Sequence, residues 1–209
     1  FGHGIEFDGK DDYVQIAPSD RYNPKNAKGI HNFTITFWMN PRSIGGNNPA
    51  GKGSATLVIA NGDPGDGGGA NWWFEFWKGG NFEFKSCQAG CAAARTPVNA
   101  PDKWYFITGI YNGKEYELYV NGEFKHKGPN VIGDPEKGLL IGSGLCPAGH
   151  GCDGGYFKGI IDDVVVFNVI LDEAAIGNLM KKGAGQTLGV LAVHPHEKLT
   201  TTWSVLKTD

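Results

Sequence analysis

The sequence predicts an all-β domain, a two-sheet antiparallel β-sandwich or jelly roll with one short helix near the C-terminus. Three observations carry that prediction. Short runs of alternating apolar and polar residues recur along the chain, broken by turn signals every 8–12 residues or so. Gly is frequent, 33 of 209 residues, and spread throughout, as many tight turns require. Only "DEAAIGNLMKKG" has the period and end signals of a helix.

The elements follow in order. "GIEFDG" and "DDYVQI" read as two opening strands, with Val14 and Ile16 on one face of the second and Tyr13 and Gln15 on the other. "NFTITFWMN" sets Phe33, Ile35 and Phe37 against Thr34, Thr36 and Trp38, and Pro41 stops it. "SATLVIA" is a short apolar strand, followed by the Gly/Asp loop "NGDPGDGGGA". The stretch "GGGANWWFEFWKGGNFEF" then packs three Trp and four Phe into residues 67–84. A three-residue turn at 78–80 pairs 76 with 82 and 74 with 84. That turn puts Phe74, Phe76, Phe82 and Phe84 on one face, together with Trp72, as core. Trp73, Glu75, Trp77 and Glu83 fall on the other face. Beside Lys78 and Lys85, the two Glu read as a solvated face.

"KWYFITGIYNG" and "EYELYVNGE" form a hairpin across "YNGKE", and the second run ends in another Asn-Gly signal. "GLLIGSG" is a short strand. "GYFKGIIDDVVVFNVIL" is the longest apolar run, interrupted by Asp162 and Asp163. In the helix, Asp172 caps the start and Gly183 terminates the end. "LGVLAVHPHEKLTTTWSVLK" reads as two more edge strands on the same domain. No linker separates a second unit, so residues 1–209 read as one domain.

Composition excludes several partners. The net charge is −3, from 19 basic and 22 acidic residues, with no basic run, so nucleic acid is not an expected partner. No apolar run approaches the roughly 20 residues of a membrane span, so membrane insertion is not expected. The opening "FGHGIEFDG" has no signal-peptide pattern and reads as the start of a mature domain. Four cysteines, Cys87, Cys91, Cys146 and Cys152, are spaced for two local bridges, Cys87–Cys91 and Cys146–Cys152. The alternative is a zinc site of Cys146, His150 and Cys152, although neither Cys spacing is the usual zinc knuckle. Disulfides imply an extracytoplasmic setting: secreted, periplasmic or cell surface.

The chemistry points to binding rather than catalysis. No phosphate-binding loop, no G-x-S-x-G and no clustered acid triplet occurs, and the chain is not expected to be an enzyme. Glu75 with Glu83 is the one carboxylate pair to watch for a hydrolase or lyase. Sugars stack their C–H patches on aromatic faces while carboxylates and amides take the hydroxyls, which fits Trp73, Glu75 and Trp77. Two loops add polar candidates at one rim: Asp63, Asp66, His150, Asp153 and Tyr156. The alternative is that Trp73 and Trp77 are covered and structural.

The ordered motifs "IEFDGKDDYVQI", "FTITFWMNP", "WYFITGIYNGKEYELYVNGE", "LLIG" and "FKGIIDDVVVFNVILDEAAIGNLMKKG" resemble the laminin-G-like jelly rolls of the concanavalin A-like lectin/glucanase fold. The resemblance covers residues 4–183, and 184–209 would pack on the same domain. It implies a structural calcium ion bound by Asp8 and Asp162, with backbone carbonyls of the 26–31 loop. Asp163 replaces Asp162 if the register is shifted by one. Independently, two Asp inside an apolar strand need a partner, because burying a lone carboxylate is costly. The combined expectation is a non-catalytic carbohydrate-binding (lectin-like) module whose partner is a glycan or polysaccharide. A protein-adhesion module, with another protein as partner, is the second reading.

Overall fold

Alternating segments become strands here because one face of each is apolar enough to seal a core. The computed structural model describes residues 4–22, 24, 28–44, 55–62, 71–77, 80–87, 93–129, 132, 138–143 and 155–188. Their strands are β1 (Ile5–Asp8), β2 (Val14–Ile16), β3 (Phe33–Pro41), β4 (Thr56–Asn61), β5 (Trp72–Trp77) and β6 (Asn81–Lys85). They continue as β7 (Ala93–Pro97), β8 (Tyr105–Tyr111), β9 (Glu115–Val120), β10 (Glu123–Pro129), β11 (Leu139–Ile141) and β12 (Lys158–Phe167), followed by helix α1 (Glu173–Thr187).

The strands form two antiparallel six-stranded sheets. Sheet I has the order β1-β12-β3-β8-β9-β10, and sheet II the order β2-β11-β4-β5-β6-β7. Their inner faces meet in one aromatic core. Phe74 stacks on Phe84 at 4.3 Å, Phe84 meets Tyr116 of sheet I at 4.5 Å, and Phe37 of sheet I meets Phe74 edge-on at 5.1 Å. The predicted β5–β6 register is the one observed, with Phe76 opposite Phe82 and Phe74 opposite Phe84. Gly80 adopts φ +80°, the left-handed turn position that glycine fills without strain.

The other predicted turns also hold. Asn112 Oδ1 accepts from the N–H groups of Lys114 and Glu115, at 3.1 and 3.0 Å, and folds β8 onto β9. Asn121 and Gly122 are both left-handed, at φ 54° and 80°, in the two-residue turn between β9 and β10. Two strands were not expected from sequence. β10 runs "EFKHK" with no apolar alternation, because it is an exposed edge whose lysines discourage further pairing. β7, "AARTP", has side chains too small to signal a core face.

Helix α1 lies on the outer face of sheet I, where Ile176 and Leu179 pack with Phe106, Ile110 and Tyr119. Asp172 caps it as predicted, its Oδ1 accepting from Ala175 N–H at 2.8 Å. Gly183 was expected to end the helix. Instead it marks a kink, at φ 76° and ψ 163°, and helix resumes to Thr187. The two expected C-terminal strands lie outside the described residues.

The two sheets approach closely at Gly109 in β8. A Cβ there would drive into the Phe74 ring and come within 2.8 Å of the Phe84 ring. Gly109→Ala is expected to cost about 1–3 kcal/mol by overpacking, read as a lower midpoint in urea unfolding.

Candidate functional site

The β5–β6 register that places the Phe set inside places a charged set outside. Trp73 stands opposite Lys85, Glu75 opposite Glu83, and Trp77 opposite Asn81. Arg95 of β7 extends the row beside Glu83. On β4, Leu57 and Ala60 flank Glu75 and Trp73. This outer face of sheet II is not the solvated face expected from sequence. Glu75 and Glu83 are only 3% and 2% exposed, and Lys85 is buried with them.

The buried charges compensate one another. The Lys85 ammonium pairs with Glu75 Oε1 and lies 3.1 Å from Glu83 Oε2. Arg95 Nε approaches Glu83 Oε1 at 3.4 Å. The Trp73 indole N–H donates to Glu75 Oε2 at 2.9 Å. Two carboxylates thus face two cations, as burial of charge demands. Burial raises the Glu75 pKa above the ordinary 4.5, with Lys85 opposing the rise.

These contacts divide the predicted sugar-stacking trio. Trp73 and Glu75 are buried and bonded to each other, so neither is free to meet a ligand. Trp77 is 36% exposed, and its ring sits 4.6 Å from the Lys85 ammonium. The carboxylate pair is likewise closed. A retaining glycosidase needs two accessible acids with substrate between them, and here Lys85 occupies that position. Tyr156 is half-buried, beside a backbone bond from Leu57 N–H to the Gly155 carbonyl that sets it next to β4. Asp63, Asp66, His150 and Asp153 lie outside the described residues.

The predicted metal ligands do not converge. Asp8 pairs in register with Lys158, whereas Asp162 lies beside Gly4. Four residues of strand separate them, about 13 Å, which is too far for one ion. Asp8 instead joins Asp11 and Asp12, with one carboxylate oxygen of each within 4.8 Å of the others. Asp162 stands opposite Trp38 at a bulge in β12, where Asp163 takes φ 49° and its N–H donates to Asp162 Oδ1 at 2.9 Å. Burial, then the adjacent Asp162 charge, raises the Asp163 pKa. Cys87 is disulfide-bonded. Cys91, Cys146 and Cys152 lie outside the described residues.

With the two sheets and this face in view, a family model of the concanavalin A-like lectin/glucanases superfamily, Laminin_G_3, matches residues 8–177. The chain belongs to that family. No curated protein matches the chain. Among solved structures, this laminin-G-like domain is similar to domain 4 of AbnA, an extracellular GH43 arabinanase from Geobacillus stearothermophilus, solved with arabinotriose. The identity is 14% and the TM-score 0.55, over 86% of this chain and 77% of that one. It is similar to Trypanosoma rangeli sialidase at 15% identity and TM-score 0.60, over 86% of this chain and 28% of the sialidase. It is similar to the LG4-5 domains of mouse laminin α1 at 13% identity and TM-score 0.54, over 79% of this chain and 40% of that one. The chain therefore spans less than a third of the sialidase and less than half of the laminin pair. At such identities the likeness is one of fold.

Sequence reasoning overlooked the bridge by Lys85 and the contribution of Arg95. The hairpin register contained the first: pairing 74 with 84 also pairs 73 with 85 and 75 with 83. Arg95 had no such signal, because β7 carries no apolar pattern.

Two tests follow from the cluster. Lys85→Met leaves both buried carboxylates without their shared cation and is expected to cost about 3–5 kcal/mol in denaturant unfolding. The pH response tests Glu75. Its raised pKa means that the folded protein holds this proton after the unfolded chain has released it. Stability from Glu75 is therefore present at low pH and falls as pH rises from 4.5 through the folded-state pKa. Glu75→Gln is expected to remove that downward slope, read as the wild-type minus variant difference in unfolding free energy across pH.

Proposed function

We propose that this domain is a non-catalytic glycan-binding module whose contact face is the outer face of sheet II, with Trp77 as its stacking ring. The observation that carries this is the exposed Trp77 indole, backed by a buried, immobilised ammonium. A ring already held in place loses little freedom when a sugar stacks on it. Arg95, whose side chain is 51% exposed, adds hydrogen-bond donors one strand beyond β6 on the same face. The fold similarity to an arabinanase domain solved with arabinotriose supports a sugar ligand without naming it.

The same reading includes an extracytoplasmic setting and local disulfides Cys87–Cys91 and Cys146–Cys152. It also includes a structural calcium ion, with Asp8, Asp11 and Asp12 as its carboxylates. Hard oxygens within 4.8 Å of one another suit a cation that takes ligands at about 2.3–2.6 Å. An adhesion module is the second reading, favoured by Trp104 and Phe124, both exposed.

The test is binding to a panel of immobilised polysaccharides and oligosaccharides including arabinotriose, with calcium and with chelator. Trp77→Ala is expected to weaken binding at least tenfold and to cost only about 1 kcal/mol of stability. Chelator is expected to lower the melting temperature. A glycan that binds wild type and Trp77→Ala equally would refute Trp77 as the platform. A folded protein that binds nothing on the panel would favour the adhesion reading.

A further inference from the structure

Of the four charged side chains in the sheet II cluster, only Arg95 reaches solvent. Glu75, Glu83 and Lys85 are buried, whereas the Arg95 side chain is 51% exposed. It is nevertheless held at two points. Its backbone N–H donates to His126 Nδ1 of β10 at 3.4 Å, and its Nε lies 3.4 Å from Glu83 Oε1. β10 also presses on β7 close by, where a Cβ on Gly128 would stand 2.8 Å from the Ala93 carbonyl oxygen. The edge strand that carries Arg95 is thereby fixed in place.

A guanidinium presents five N–H donors in one plane. Here the Nε end faces Glu83. Among the described residues the two Nη groups, at the far end, make no hydrogen bond and no ion pair. The negative charge of the cluster is covered from outside. Glu83 offers one oxygen to Arg95 and the other to Lys85, while Glu75 pairs with Lys85 and accepts from the Trp73 indole. A ligand arriving at this face therefore meets a planar, oriented pair of donors and a fixed indole, with both carboxylates behind them.

We propose that the glycan taken by this face is acidic, a chain of uronic-acid units, with one sugar ring on Trp77 and the carboxylate of a neighbouring unit on the Nη pair of Arg95. The proposal rests on the Trp77 reading above and adds the class of sugar. Two coplanar N–H groups match the two oxygens of a carboxylate, and such a charge-assisted pair is stronger than the bonds a neutral hydroxyl makes. β5 and β7 lie two strand spacings apart, about 10 Å. The stacked ring and the bound carboxylate therefore belong to different units of a chain that runs across the strands.

The experiment titrates the protein at low ionic strength with oligomers of galacturonate, mannuronate and glucuronate, each beside its neutral methyl ester, and with a sulfated galactose oligomer that has no carboxylate. At least one uronate is expected to bind about tenfold more tightly than its own ester. Arg95→Gln is expected to abolish that preference and to bind the ester as the wild type does. Arg95→Lys keeps a cation beside Glu83 but not the paired donors. It is expected to melt within a few degrees of the wild type and still to lose most of the preference. Trp77→Ala is expected to weaken acid and ester alike. Neutral glycans that bind through Trp77 with no preference for an acid would overturn this proposal and leave the Trp77 reading standing. A preference that survives Arg95→Gln, no binding by any uronate, or a sulfated oligomer that binds as tightly as the best uronate would also overturn it. Uronate binding untouched by Trp77→Ala would refute the Trp77 reading and, with it, this proposal.

Discussion

The Lys85 ammonium sets the character of the outer face of sheet II. It is buried, it reaches carboxylates on two adjacent strands, and it lies beneath an indole ring. Remove it and, among the described residues, the two buried carboxylates keep only Arg95 to offset them. With it in place, Glu75 can be buried and can accept the Trp73 N–H, so Trp73 becomes part of the wall. Trp77 alone remains on the surface. The geometry thus turns a row of three possible ligand contacts into one contact and two supports.

The same hairpin joins this face to the core. Its turn at Gly80 fixes which residues face inward, and the Phe74–Phe84 stack, with Tyr116 against it, binds sheet II to sheet I. A one-residue slip would turn the charged row toward the core between the sheets and the Phe row to the outer face. The placement of Trp77 is therefore specified by the aromatic packing on the opposite side of its own strand.

Much of this was legible in the sequence, and the reasons are local. Period-two alternation in "WWFEFW" and "NFEFK", with a Gly-bearing turn between them, was enough to assign the faces and the register of β5 and β6. The Asn-Gly turns and the Asp172 cap were equally local. What failed depended on three-dimensional placement. Glu75 and Glu83 read as solvated because alternation says which side a residue faces and not how deeply it is covered. Asp8 and Asp162 were joint ligands of one ion only by the family resemblance, and the β1–β12 register sets them four residues apart. The exposed edge β10 and the small-residue strand β7 had no apolar pattern to announce them.

Trp73 is a buried support and Trp77 an accessible ring. Hydrogen exchange of the tryptophan indole N–H groups, resolved by NMR in the free protein, tests it directly. The Trp73 indole N–H, bonded to Glu75, is expected to exchange orders of magnitude more slowly than that of Trp77. Fast exchange at both positions would contradict it. The outer face would then be open, and Trp73, Glu75 and Trp77 would stand together as a platform.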